Sequence, residues 1–178
     1  MTVKNLVTPL EFNLEFTYKS AGVDTQKADE LSKAITSALD SRSAGQFAGI
    51  YDHPNIPDYY LVACTDGVGS KVIPLLERNQ LKAIAQDLAA MNLNDLVCLG
   101  AFPLFFLDYI AVNKLDVISS KLFITELSKI LSSYNCSLLG GETSELPDLI
   151  KENQFDVAGF AIGMVKKDNI LSSSSVKQ

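Results

Sequence analysis

The run Pro-Leu-Phe-Phe-Leu-Asp-Tyr-Ile-Ala-Val, residues 103–112, limits most sharply what this chain can fold into. Its only charge is Asp108, and aromatic and aliphatic side chains fill nearly every other position. A membrane helix needs about 20 apolar residues, and no stretch of the sequence approaches that length. The run therefore reads as a β-strand covered on both faces, the pattern of a strand inside a layered fold.

The flanking segments supply the layers. Residues 25–40 carry Ala28, Leu31, Ile35, Ala38 and Leu39 on one helical stripe. Residues 81–99 are helical in pattern, with Gly100 and Pro103 as the stop. Residues 116–134 form the clearest helix, with Phe123, Leu127, Ile130, Leu131 and Tyr134 in register. Strands are expected at 59–64, at 136–143 running into a glycine turn, and at 155–167, with a short one near 46–51. The order predicts an α/β (α+β) sandwich whose helices cover one face of a mixed sheet. A chain of 178 residues, 47% hydrophobic, has enough apolar surface for one such domain, with 1–24 as an N-terminal flap and 172–178 as a linker.

Composition narrows the partners. Net charge is −6 and the basic residues are scattered, which argues against nucleic acid, whose phosphates call for clustered Lys and Arg. Cys64, Cys98 and Cys136 lie far apart in apolar runs, with a single histidine, His53, and no zinc spacing. They read as buried reduced thiols of a cytoplasmic protein. The first residues lack the apolar core of a signal peptide.

Candidate chemistry gathers at a few places. Thr65-Asp66-Gly67-Val68-Gly69-Ser70-Lys71 has the ingredients of an anion loop, but Val72 after the lysine breaks the P-loop pattern. The stretch is either a tight turn with two solvated charges, or a loop whose amides and Lys71 meet a phosphate while Asp66 meets a metal. Asp87 and Asn94, seven apart, share a helical face. Asp95 falls in register with Ile84, Leu88 and Met91, where a carboxylate needs a partner, unless the helix ends early and leaves it in water. If Asp66 and Asp95 converge, their oxygens suit Mg²⁺ better than zinc. Asp108 is either a site residue or, the favoured reading, a buried acid satisfied by a backbone donor. Gly140, Gly141, Glu142 and Thr143 stand at a strand end, as ligand-lining loops do, or form a plain turn. Lys19 alone says little, and His53 has no partner for a triad.

Taken together, the motifs resemble a known family. Asp95-x4-Gly100-Ala101-x-Pro103 is similar to the signature of the PurM-like ATP-binding superfamily. "TYKSAGVD", "TDGVGSK", "MNLNDLVCLGAFPLFFLDY", "NCSLLGGETSELP" and "FDVAGFAIGMV" narrow the resemblance to the N-terminal domain of the aminoimidazole ribonucleotide synthetases, over residues 17–171. The resemblance implies ATP-dependent closure of formylglycinamidine ribonucleotide to aminoimidazole ribonucleotide in purine synthesis. ATP phosphorylates the formyl oxygen, the ribose-bearing nitrogen attacks the formyl carbon, and ADP and phosphate leave. Asp66 and Asp95 would hold Mg²⁺; Lys71 with Gly67, Gly69 and Ser70 would steady the triphosphate; Lys19 would close a flap. Asp87 and Asn94 would belong to the nucleotide site, and Gly140 to Thr143 would help hold the substrate. The resemblance also implies a homodimer joined through the sheet, and a second domain that completes the cleft, so that these residues alone would turn over little. Two positions depart from the family pattern: Ser70 replaces threonine, and Asp148 stands where glycine is usual. The alternatives are another member of the superfamily, an amidotransferase or small-molecule kinase, or a non-catalytic dimerisation module.

Overall fold

The computed structural model describes residues 17–38 and 46–172. The expected start of the flap, the end of the first helix and most of the final linker lie outside them. The chain divides into two units, residues 1–39 and 40–178. In the first, Thr17 and Ser20 cross-bond in a turn, and helix α1 follows over Thr25–Ala38.

The second unit is built around a five-stranded sheet. Its strands are β1 (Gly49–Tyr51), β2 (Tyr59–Gly67), β3 (Phe102–Val112), β4 (Ser137–Glu145) and β5 (Phe155–Lys166), in the spatial order β1-β2-β5-β3-β4. Only β3 and β4 pair in parallel; the other neighbours are antiparallel. A parallel pair needs a crossover, and helix α4 (Val117–Ser133) provides it. A single 3₁₀ turn, Gly69–Lys71, leads into the short helix α2 (Val72–Glu77), and α3 runs over Leu81–Cys98. This is the predicted mixed sheet with helices on one face.

Alternation along the strands explains the core. Val62, Cys64, Phe106, Ile110, Val157, Ala161 and Val165 all point to the helix side and are buried. From α3 they meet Ile84, Leu88 and Leu96, and from α4 Phe123, Leu127 and Leu131, also buried. Each Val, Leu, Ile or Phe among them contributes about 1.5–3 kcal/mol when fully removed from water. The expectation of cover on both faces of β3 holds on one only. Within residues 40–178 the long helices lie on the same side, so Phe105, Leu107, Ile162 and Met164 are half-buried on the other, with Tyr109 and Phe160 exposed beside them.

Three local readings change. β2 continues to Gly67, because residues 65–67 pair with Phe160, Gly159 and Ala158 of β5. The expected glycine turn at 140–143 is strand throughout, held by parallel pairing with β3 after a bulge. Cys98 is exposed at the last turn of α3, whereas Cys64 and Cys136 are buried. The stop at Gly100 is confirmed with its cause. Gly100 has φ +74, its N–H reaches Val97 O at 2.9 Å, and the Ala101 N–H reaches Leu96 O at 3.0 Å. That is the Schellman closure of a helix, which needs a residue tolerant of the left-handed conformation.

Candidate functional site

Asp66 is the next-to-last residue of β2, on the helix side of the sheet with Val62 and Cys64. Asp95 lies on the last turns of α3, which runs on to Cys98, so Asp95 is part of the helix. Asp95 feels the charge of Asp66. Burial, and then the charge of Asp66, hold the Asp95 carboxyl above its ordinary range. Both acids also act on Cys64, whose thiol is pushed up to about 12 by burial first and by Asp95 and Asp66 after that. Like charges brought together without a cation disfavour ionisation. Asp95 also sits near the negative end of a helix dipole, which adds to the attraction for a cation.

The 3₁₀ turn carries the remaining loop candidates. The Gly67 N–H donates to Asp66 Oδ1 at 2.7 Å, and the Val68 N–H donates to Val157 O at 3.2 Å. Gly69 has φ +70. Lys71 Nζ is 3.1 Å from Asp87 Oδ2, so two of the sequence candidates pair with one another. Both side chains are well exposed, and such a pair is worth about 1 kcal/mol or less. Asn94 is exposed on α3.

The antiparallel and parallel registers align the separate motifs. Asp66 pairs with Gly159, Gly159 with Asp108, and Asp108 with Gly141, forming one row across β2, β5, β3 and β4. Asp66 and Gly141 are therefore three strand spacings apart, about 14 Å. Asp108 is buried, and burial raises its pKa while its own backbone bond lowers it. A Cβ on Gly141 would stand 2.6 Å from Asp108 Cγ, so that glycine leaves room for the acid. Glu142 and Thr143 are exposed on β4, at the edge of the sheet. Lys19 belongs to the first unit, in the turn after Thr17.

Sequence reasoning missed Asn92. It is fully buried on α3, and its side chain bonds to both backbone groups of Asp66. The available signal was a second polar residue, beside Asp95, four positions after the buried Leu88. Cavities do not mark the acid pair. One of about 580 Å³ lies among Leu81, Ile110, Ser119 and Phe123, and one of about 320 Å³ is lined by Gly69, Ser70, Lys151 and Asp156. Neither is lined by Asp66 or Asp95. Among the described residues no group of three or more His, Cys, Asp or Glu could hold a metal. No helix there is long and apolar enough to cross a membrane.

Comparison with known proteins gives the family. Residues 45–165 match the family model "AIR synthase related protein, N-terminal domain". A phosphoribosylformylglycinamidine cyclo-ligase of Vigna unguiculata, named chloroplastic/mitochondrial, is 42% identical over 160 residues, covering 90% of this chain and 40% of that protein. The cyclo-ligase of Finegoldia magna is 40% identical over 172 residues, covering 91% of this chain and 50% of the relative. The chain thus spans about half the length of the curated relatives it matches. Among solved structures, AaThiL complexed with AMPPCP and TMP aligns at TM-score 0.58 and 19% identity, over 80% of this chain and 42% of its own. PurL of T. maritima complexed with ADP aligns at TM-score 0.56 and 16% identity, over 74% of this chain and 20% of its own. These two likenesses establish the fold. With the motifs in one row of the sheet and the family model spanning most of it, this chain belongs to the AIR synthase related family and carries its N-terminal domain.

Proposed function

We propose that this chain is the nucleotide-binding half of an ATP-dependent cyclo-ligase that closes formylglycinamidine ribonucleotide to aminoimidazole ribonucleotide. The observation that carries the reading is that the charge of Asp66 reaches the carboxyl of Asp95, 29 positions away in sequence, beside a glycine-lined turn. The names of the curated relatives support the reaction, and AMPPCP and ADP in the names of two fold neighbours support a nucleotide.

The donor set fits Mg²⁺. That ion is commonly held by one or two carboxylates, with phosphates and water completing its shell, so Asp66 and Asp95 suffice without a third acid. When bound, Mg²⁺ neutralises charge on the phosphates during transfer. The chain's own groups do the positioning. Lys71 leaves Asp87 at small cost and presents its ammonium to a phosphate. Until then Asp87 holds Lys71 from α3, with Asn94 further along that helix. The amides of Gly69 and Ser70 present donors to the anion, while the Gly67 N–H stays on Asp66 Oδ1. Gly140, Gly141, Glu142 and Thr143 contact the substrate at the other end of the row, about 14 Å from Asp66 by strand spacing, which separates nucleotide from substrate along one edge. We further propose a homodimer through the uncovered sheet face, and a cytoplasmic setting in keeping with the free thiols Cys64 and Cys136.

Calorimetry with a non-hydrolysable ATP analogue tests the reading. Heat is expected with Mg²⁺ and should be lost in Asp95→Asn. No heat from the unsubstituted protein, with or without Mg²⁺, would overturn it.

A further inference from the structure

β1 pairs with β2 only over Leu61–Ala63, so among the described residues no strand lies beside that edge of β2 from Cys64 onward. Asp66 is nonetheless held at both backbone groups. Its N–H donates to Asn92 Oδ1 at 3.0 Å, and its C=O accepts from Asn92 Nδ2 at 3.1 Å. The same Nδ2 donates to Leu88 O at 3.0 Å, which fixes the amide on its own helix. The Cys64 thiol donates to Asn92 O at 3.1 Å, a second tie between the same strand and helix. The Asn92 side chain thus does for Asp66 what a neighbouring strand would do.

We infer that Asn92 is a positioning residue that sets the separation of Asp66 and Asp95, and so the metal affinity of the site. The inference rests on the proposed reading of the two acids as cation ligands. Asn92 and Asp95 are three apart on α3 and therefore on one side of it. Fixing Asp66 to Asn92 fixes it against Asp95 through one turn of rigid helix. The residue type is constrained. Leucine of similar size offers neither donor nor acceptor, and aspartate lacks the donor. Gly159 faces the amide, and a Cβ there would stand 2.6 Å from Asn92 Nδ2. Because Asn92 is fully buried, losing it also leaves the Asp66 N–H and C=O without partners, which lets the strand end shift.

The test compares Asn92→Leu, and the milder Asn92→Ala should the first fail to fold, with Leu131→Ala. The last empties a buried core position on α4, away from the site. Three quantities are read on the full chain: thermal midpoint, amide exchange of Asp66, and affinity for Mn²⁺ with a non-hydrolysable ATP analogue. The Asn92 variant should lose Asp66 protection and about 10–100-fold in affinity, the range for groups that orient metal ligands. Leu131→Ala should lose as much thermal stability with affinity kept within about twofold. Unchanged affinity in the Asn92 variant, or equal loss in both variants, would overturn the inference and leave the site reading intact. No Mn²⁺ binding by the unsubstituted protein would overturn the site reading and this inference with it, even if Asp66 exchange still showed the clamp.

Discussion

Burial and the charge of Asp66 both hold the Asp95 carboxyl above its usual range, so in metal-free protein near neutral pH its ionisation opposes folding. The sign follows from linkage. An acid whose pKa is higher folded than unfolded binds more protons in the native state, so stability falls as pH rises through that window. Asp95→Asn removes the penalty at every pH. Without metal, the variant should therefore unfold at a higher temperature than the parent at pH 7. The gap should close as pH falls toward 3.8, the ordinary value of the group. Adding Mg²⁺ with the ATP analogue reverses the ranking, because only the parent gains stability by binding. Thermal scans across pH, with and without metal, check both halves; a variant less stable than the parent without metal would refute the account. Lys71→Met addresses the neighbouring charge. It should weaken the nucleotide analogue by about tenfold, as the loss of one charge-assisted contact does, read by calorimetry.

At the scale of elements, α3 is the part on which the site depends, since it carries Asp87, Asn92 and Asp95 and ends at Gly100. Gly100→Ala forces a β-carbon into the left-handed region at about 1–2 kcal/mol. It also places that carbon 3.1 Å from Asn169 O and from Leu171 Cγ. Denaturant unfolding should show a loss of that size or more, with weaker binding of the metal–nucleotide pair because the turn after Asp95 frays. This helix was legible in the sequence, since Ile84, Leu88 and Leu96 keep a 3.6-residue period and Gly100 marks the end. The ends of β2 and β4 were not. Asp66-Gly67 and Gly140-Gly141 have turn composition, and they become strand only because β5 and β3 offer long-range pairing. Asn92 escaped for a related reason: its partner is 26 positions away, so no local spacing reveals the bond. Asp95 stood out because it shares a stripe with Ile84 and Leu88, whereas the charge of Asp66 acting on it comes from 29 positions away and leaves no local signal.

For the whole molecule, the informative surface is the sheet face away from α3 and α4. Tyr109 and Phe160 remain 39% and 37% exposed there, beside half-buried Leu61, Phe105, Leu107, Ile162 and Met164. Apolar side chains contiguous over three central strands form the sort of patch that monomers rarely leave in water. A second copy is the occupant proposed above, and a two-fold contact makes the test sensitive. In an isologous interface each substitution occurs twice, and near the axis the two copies approach each other. Phe160→Glu would thus bury two carboxylates without partners, a cost of several kcal/mol per ion against whatever the apolar contact supplies. Its side chain points away from Phe106 and Val157, so the core on the helix side is untouched. Sedimentation should find the parent as a concentration-dependent dimer and the variant as a monomer with the same far-ultraviolet spectrum. If the parent sediments as a monomer at every concentration tested, self-association is not what covers this face, and the homodimer proposed above is refuted.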